Sequence, residues 1–230
     1  IFLLSFLSSC SSPPPESTVT PTDLSIPAAT ITPLPTETPG PTATQAPVPT
    51  LERAKYTLNT TIDYDAHTVT VDETILYPNH TGNQLNTLVL AIVPNLWQDS
   101  FTLTNIAIDG TPTTTYSIAG QRLDIALSSF TKPEGVLTIK LQYTLALPFA
   151  EQEDPNISRP RIYGYTSRQL NLTNWYPFVV PYIDGEWVLH EPWYYGEHLV
   201  YDAADYEVNL KFVETAFTPI VAARGFPERQ

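Results

Sequence analysis

Methionine is absent from the chain, even at position 1, and cysteine occurs once, as Cys10. The chain also opens inside an apolar run and stops shortly after Gly225-Phe226-Pro227, so the expectation is a fragment of a longer protein. A lone cysteine excludes an internal disulfide and says nothing against export. Basic residues are scarce: 11 Lys and Arg stand against 24 Asp and Glu, for a formal net charge of −13. Binding a nucleic-acid duplex needs a basic footprint that releases counterions, and none is visible, so the expectation is that nucleic acid is not a partner. The acidity speaks to solubility and association rather than to fold. No apolar run approaches the ~20 residues of a membrane-crossing helix, and no stretch carries a convincing amphipathic helical period. Two catalytic signatures are missing as well. Without Gly-x-Ser-x-Gly a hydrolase triad lacks its strained turn. Without His-Glu-x-x-His no helix face presents two histidines to a zinc ion.

What is present begins with Ile1 to Leu7, apolar apart from Ser5, followed by Ser8, Ser9 and Cys10. The run is too short to span a bilayer and reads as the end of a signal peptide. Leu7-Ser8-Ser9-Cys10 resembles a bacterial lipobox. The resemblance implies cleavage before Cys10 and lipid on its thiol, because small residues let the peptidase close on the bond and the thiol accepts the diacylglyceryl group. The alternative is an ordinary signal peptide with an incidental cysteine. Ser11 to Thr50 is dominated by proline and threonine and keeps no hydrophobic period. Prolines fix φ and remove donors, which predicts a disordered to polyproline-like tether. At about 3 Å per residue it reaches on the order of 100 Å when stretched. The expected organisation is a signal remnant over 1–10, a linker over 11–53 and a β-rich domain over 54–230. The expected location is outside the cytoplasm, on a bacterial membrane or cell surface.

From Ala54 the pattern changes to period-2 alternation. Tyr56, Leu58, Ile62 and Tyr64 alternate with polar residues, Asp65-Ala66-His67 makes a turn, and Val69, Val71, Ile75 and Tyr77 share the face of a second strand. Further strands are predicted over Leu85 to Val93, Phe101 to Ile108, Thr113 to Ile118, Arg122 to Leu127 and Val136 to Leu147. Asp109-Gly110 marks a hairpin. Leu137, Ile139, Leu141, Tyr143, Leu145 and Leu147 form an unbroken inward stripe. Pro148 to Arg161 is polar and acidic and predicts a loop. Short strands with turn signals between them predict an all-β fold, an antiparallel saddle-like sheet or β-sandwich.

The most informative stretch runs from Asn174 to Phe212 and holds all but one of the chain's 4 tryptophans. Strand-like runs Tyr176 to Ile183 and Glu186 to His190 flank Asp184-Gly185, a pair suited to a type I′ turn. Tyr206, Val208, Leu210 and Phe212 alternate with Glu207, Asn209 and Lys211, the pattern of a half-buried strand. Two readings of the aromatic cluster Trp175, Tyr176, Trp187, Trp193, Tyr194 and Tyr195 stay open. One is a stacking platform for sugars or a peptide; the other, favoured, is core and interdomain packing.

Three runs carry a family resemblance. Tyr56 to Asp63, Thr68 to Asn79 and Leu85 to Leu90 are similar to the opening of the N-terminal domain of aminopeptidase N-like zinc metallopeptidases (peptidase family M1). Asn174-Trp175-Tyr176-Pro177 leading into Asp184-Gly185 resembles a bacterial family segment. Tyr194 to Phe212, with Ile220-Val221-Ala222-Ala223-Arg224-Gly225, resembles the run that closes that domain. The resemblance covers Lys55 to Gly225. It implies an all-β domain that packs on its own downstream catalytic domain, which would bind zinc and hydrolyse peptides beyond Gln230. The chain itself carries neither the family's zinc motif nor its Gly-x-Met-Glu-Asn motif, so this portion is expected to be inactive and free of metal. The family also lends a side chain to the substrate's amino terminus, and the resemblance points to Gln169 for that role; the alternative is a loop glutamine. The other functional class kept open is a stalk-displayed β-sandwich that binds glycans or peptides.

Other constellations read more plainly. His190, Glu191 and His198 invite a metal reading, but the histidines are eight apart, and Pro192 and Gly196 between them oppose a helix, so polar loop residues are favoured. Asp202 with Asp205, and Glu151, Glu153 and Asp154, read as solvated carboxylates. His67 and His80 are expected at turns, in solvent. The sequons at Asn59, Asn79, Asn156 and Asn171 carry no role.

Overall fold

A computed structural model describes residues 52–150, 163–192, 199–215, 219–223 and 225. The expected all-β fold is what forms: the described residues contain strands and one short 3-10 helix at Val93–Leu96. Strand β1 spans Ala54–Asp63 and β2 Thr68–Pro78, joined where the Asp63 carboxylate accepts the Ala66 N–H at 2.8 Å. Strands β3 (Leu85–Ala91), β4 (Phe101–Ile108), β5 (Thr111–Pro112), β6 (Tyr116–Ala119), β7 (Arg122–Thr131) and β8 (Val136–Ala146) follow. Short pairs come next: β9 (Gly164–Tyr165) with β10 (Leu170–Asn171), then β11 (Phe178–Val179), β12 (Tyr182–Ile183) and β13 (Glu186–Trp187). Strand β14 spans Ala204–Phe212.

The large sheet runs β14-β1-β2-β8-β4-β5, and a second sheet runs β11-β3-β7-β6. Neighbours pair antiparallel with one exception among them: β14 lies parallel to β1, in a register that sets Ala54 opposite Ala204 and Ile62 opposite Phe212. The expected antiparallel sheet is therefore mixed. A parallel edge of this kind unites the two ends of the domain and leaves no local sequence mark.

The inward rows of both sheets join in one core. The large sheet contributes Tyr56, Leu58, Val69, Val71, Ile75, Leu137, Ile139, Leu141, Tyr143 and Leu145; the second contributes Leu88, Leu90, Leu123, Ile125, Phe178 and Val179. The opposite face of the large sheet carries Asn59, Asp72 and Gln142, which are exposed. This inside-outside alternation is what period-2 predicted. Leu88, Val89, Leu90 and Ala91 are buried in succession, so both faces of β3 are covered. Both predicted Asp-Gly turns form. Asp109 and Gly110 have φ of 49° and 80°, and Asp184 and Gly185 have φ of 52° and 91°, the paired positive angles of a type I′ turn.

Two expectations around that second turn need correction. The strands flanking it are two residues each, not the longer runs predicted. Pro177 and Pro181 cannot donate to a ladder and confine pairing to the short segments between and beyond them. The half-buried strand expected at Tyr206 to Phe212 is instead exposed on both faces from Asp205 to Lys211. Its apolar row continues the inward face of β1 but lies past the cover that the second sheet gives, among the described residues.

Candidate functional site

Three features of the described fold bear on function: the uncovered row of β14, a cleft beside it, and an acid in the core. On β14, Tyr206, Val208 and Leu210 are 44%, 46% and 38% exposed. Their register partners Tyr56, Leu58 and Thr60 on β1 are all buried. Tyr206 is fixed at the boundary. Its ring lies 5.0 Å from that of Tyr56 at 18°, and 5.5 Å from Tyr176 nearly edge-on. On the other face Lys55 meets Glu207 at 3.3 Å and Arg53 meets Asp205 at 3.8 Å. These exposed pairs add little beyond orientation.

The cleft has a volume of about 300 Å³ and opens where β1 begins and β2 ends. Its walls include Arg53, Tyr77, Thr81, Tyr182 and Asp202. Tyr182 packs edge-on against Trp187 at 4.9 Å, and Trp187 in turn lies 6.4 Å from Tyr77. Burial, and then the negative Asp202 nearby, push the Tyr77 phenol up to about 12. The walls mix aromatic faces with charged and hydroxyl groups, which suits recognition.

Glu73 is the acid in the core. It occupies an inward position of β2 and is 1% exposed. Desolvation by burial raises its pKa well above the ordinary carboxylate range, against a smaller opposing effect of the Tyr143 hydroxyl. That hydroxyl is close enough to act on the carboxyl, but no direct hydrogen bond of good geometry joins the two. The Tyr143 phenol is raised too, by its burial first and then by Glu73.

The residues singled out from sequence are dispersed. Gln169 is exposed in the β9–β10 hairpin, where its backbone carbonyl accepts the Thr166 N–H at 2.8 Å. His190 is exposed, and its carbonyl accepts from the buried Gln121 side chain at 2.7 Å. Cys10, Glu151, Glu153, Asp154, Trp193, Tyr194, Tyr195 and His198 lie outside the described residues. Asp202 and Asp205 are both exposed, and they take separate partners. His67 is not simply solvated: it has φ 54° and its ring stacks on Tyr165 at 3.5 Å. His80 is exposed as expected, with Nδ1 3.1 Å from the Glu134 carboxylate. Trp175 is 8% exposed and joins the core, so the favoured packing reading holds for it. Among the described residues no three His, Cys, Asp or Glu side chains gather in a group that could hold a metal ion.

Glu73 was missed in the sequence, although its parity gives it away. In Val69, Val71, Glu73, Ile75, Tyr77 it occupies the middle of the inward row.

No family model matches the sequence, and no curated protein matches it. Solved structures do. The chain is similar to zinc metallopeptidase structures over about half its length. An M1 zinc metallopeptidase from Deinococcus radiodurans, bound to a Tyr-Ser-Ala substrate, matches at 14% identity and a TM-score of 0.38, covering 50% of this chain and 25% of that one. A second structure of an M1 zinc metallopeptidase from Deinococcus radiodurans matches at 15% identity and 0.35, covering 44% and 21%. Legionella pneumophila aminopeptidase A in complex with aspartic acid matches at 15% identity and 0.31, covering 44% and 11%. The chain thus spans a quarter or less of the length of each of these three structures.

Proposed function

We propose that this chain is the non-catalytic N-terminal part of an extracytoplasmic zinc aminopeptidase, held at a membrane by lipid on Cys10 and a proline-rich tether. The observation that carries the reading is the row Tyr206, Val208 and Leu210 on β14, which stays exposed among the described residues. A strand that continues the core face of its sheet and is left bare offers apolar surface to a further domain. In this reading its own catalytic domain docks there. That domain, encoded beyond Gln230, holds the zinc, supplies the activated water and hydrolyses the peptide substrate. The order of the Tyr56–Leu90, Asn174–Gly185 and Tyr194–Gly225 runs supports the peptidase type. Gln169 is the residue of this domain assigned to the substrate's amino terminus.

Translating the reading frame past Gln230 tests the proposal. A His-Glu-x-x-His within the next hundred or so residues, with a downstream Glu, is expected. A stop codon or a second Pro/Thr run overturns it in favour of a stalk-displayed module, a reading that the cleft between Tyr77 and Tyr182 favours, with glycans or peptides as its ligands. The chain by itself is expected to release nothing from an aminoacyl-arylamide; turnover above a zinc-free control sinks the assignment. For the anchor, Cys10→Ala is expected to move the protein from the membrane to the soluble fraction.

A further inference from the structure

The ladder registers fix what surrounds Glu73. Leu58 on β1 and Leu141 on β8 stand directly opposite it. On the same face its diagonal neighbours are Tyr56 and Thr60 on β1 and Ile139 and Tyr143 on β8. Diagonal pairs of this kind lie within reach of long side chains. Thr60 and Tyr143 are 3% and 1% exposed. Among the described residues neither carboxyl oxygen of Glu73 has a hydrogen-bond partner, and the same holds for Thr60 Oγ1 and the Tyr143 hydroxyl. These polar residues share one inward patch of β1, β2 and β8, among the apolar neighbours Leu58, Ile139 and Leu141.

Among the described residues only the Tyr143 hydroxyl favours the charged state of Glu73, and burial outweighs it. Tyr143 beside it and Tyr56 beyond Leu58 are the titratable groups that act with it, and Tyr163 and Tyr176 act in turn on Tyr143 from the segments packed above. All are phenols. Among the described residues no basic side chain acts on the carboxyl. The Tyr56 hydroxyl is already engaged, accepting the Val179 N–H at 3.1 Å. A buried carboxylate without a cation or a set of donors neutralises rather than stay charged.

We infer that Thr60, Glu73 and Tyr143 form a buried proton-binding site, in which Glu73 is the neutral acid and the two hydroxyls stand diagonal to it on the same face of the sheet. The site makes the sandwich pH-sensitive. In the unfolded chain Glu73 loses its proton above its ordinary pKa of about 4.3. In the folded domain it keeps the proton until a much higher pH. Between the two the unfolded state binds fewer protons, so stability falls as pH rises. Below the ordinary value both states are protonated and the contribution is complete. The inference rests on the fold and is independent of the peptidase reading.

The test compares urea unfolding of the whole chain with that of Glu73→Gln between pH 5 and 8.5. Glutamine keeps the size of the side chain and has no proton to lose. The wild-type unfolding constant is expected to rise relative to that of the variant by up to tenfold per pH unit until the folded acid itself ionises. A ratio independent of pH over this range overturns the inference. If the variant does not fold, the carboxyl carbon resonance of Glu73 in the wild-type chain reads the same quantity. A midpoint well above the ordinary glutamate value is expected, and a midpoint at or below it overturns the site.

Discussion

Tyr206 lies flat on Tyr56, ring centroids 5.0 Å apart and planes 18° from parallel, although the two residues are separated by almost the whole domain. The stack joins the first strand to the last at the edge of the core. Tyr206 is partly in solvent, so Tyr206→Ala is expected to cost about 1 kcal/mol, the usual worth of an aromatic pair. Tyr56→Phe keeps the ring but leaves the buried Val179 N–H without its acceptor, and an orphaned donor of that kind costs about 1–3 kcal/mol. Chemical unfolding of both variants checks the order.

Asn79 is fully buried, and its amide is committed on both sides. Its Nδ2 donates to the carbonyls of Asn83, Thr131 and Lys132 at 2.8, 3.1 and 3.0 Å. Its Oδ1 accepts from the Thr81 hydroxyl at 2.6 Å. The side chain ties the loop after β2 to the turn before β8. Asn79→Ala is expected to destabilise the domain by about 2–4 kcal/mol, because several buried groups lose partners together. Thermal or urea unfolding measures it.

Gly164 and Gly185 both have positive φ, 125° and 91°, but they are not equivalent. A Cβ at Gly185 meets nothing within 4 Å. At Gly164 it would run into the Pro148 carbonyl oxygen, where Tyr165 N donates to that same carbonyl at 2.9 Å. Gly185→Ala is expected to cost about 1–2 kcal/mol from backbone conformation alone. Gly164→Ala adds a backbone clash, and the soluble yield of that variant is expected to collapse while that of Gly185→Ala does not.

Alkaline pH probes a second set of buried groups. Burial pushes the Tyr163 phenol up to about 12, against the hydrogen bond with Ser100 at 3.0 Å, which lowers it. Tyr77 stands at about 12 for the reasons of burial and Asp202. A raised phenol contributes stability that is complete below about pH 10, its ordinary value, and is lost as pH rises through the folded one. Phenolate absorbance of the native chain is therefore expected to lag behind that of the urea-unfolded chain from about pH 10, and to catch up only as the domain opens near 12. Superimposable titration curves would refute this.

The class of fold and most of the strands were legible in local pattern. Period-2 alternation is a local property of the pleat, so the rows Val69, Val71, Ile75 and Leu137 to Leu145 could be assigned inward without knowing their partners. Asp109-Gly110 and Asp184-Gly185 likewise carry their turn geometry in two residues. Which segments meet across the chain was not legible there, because long-range pairing leaves no local mark. The parallel docking of β14 on β1, the exposure of Tyr206, Val208 and Leu210 among the described residues, and the cleft beside Tyr77 depend on segments far apart in sequence, as the pairing of Asn59 with Asn209 illustrates. Glu73 belongs to both: alternation places it inward, but its solitude as an acid follows from the neighbours that β1 and β8 bring to it.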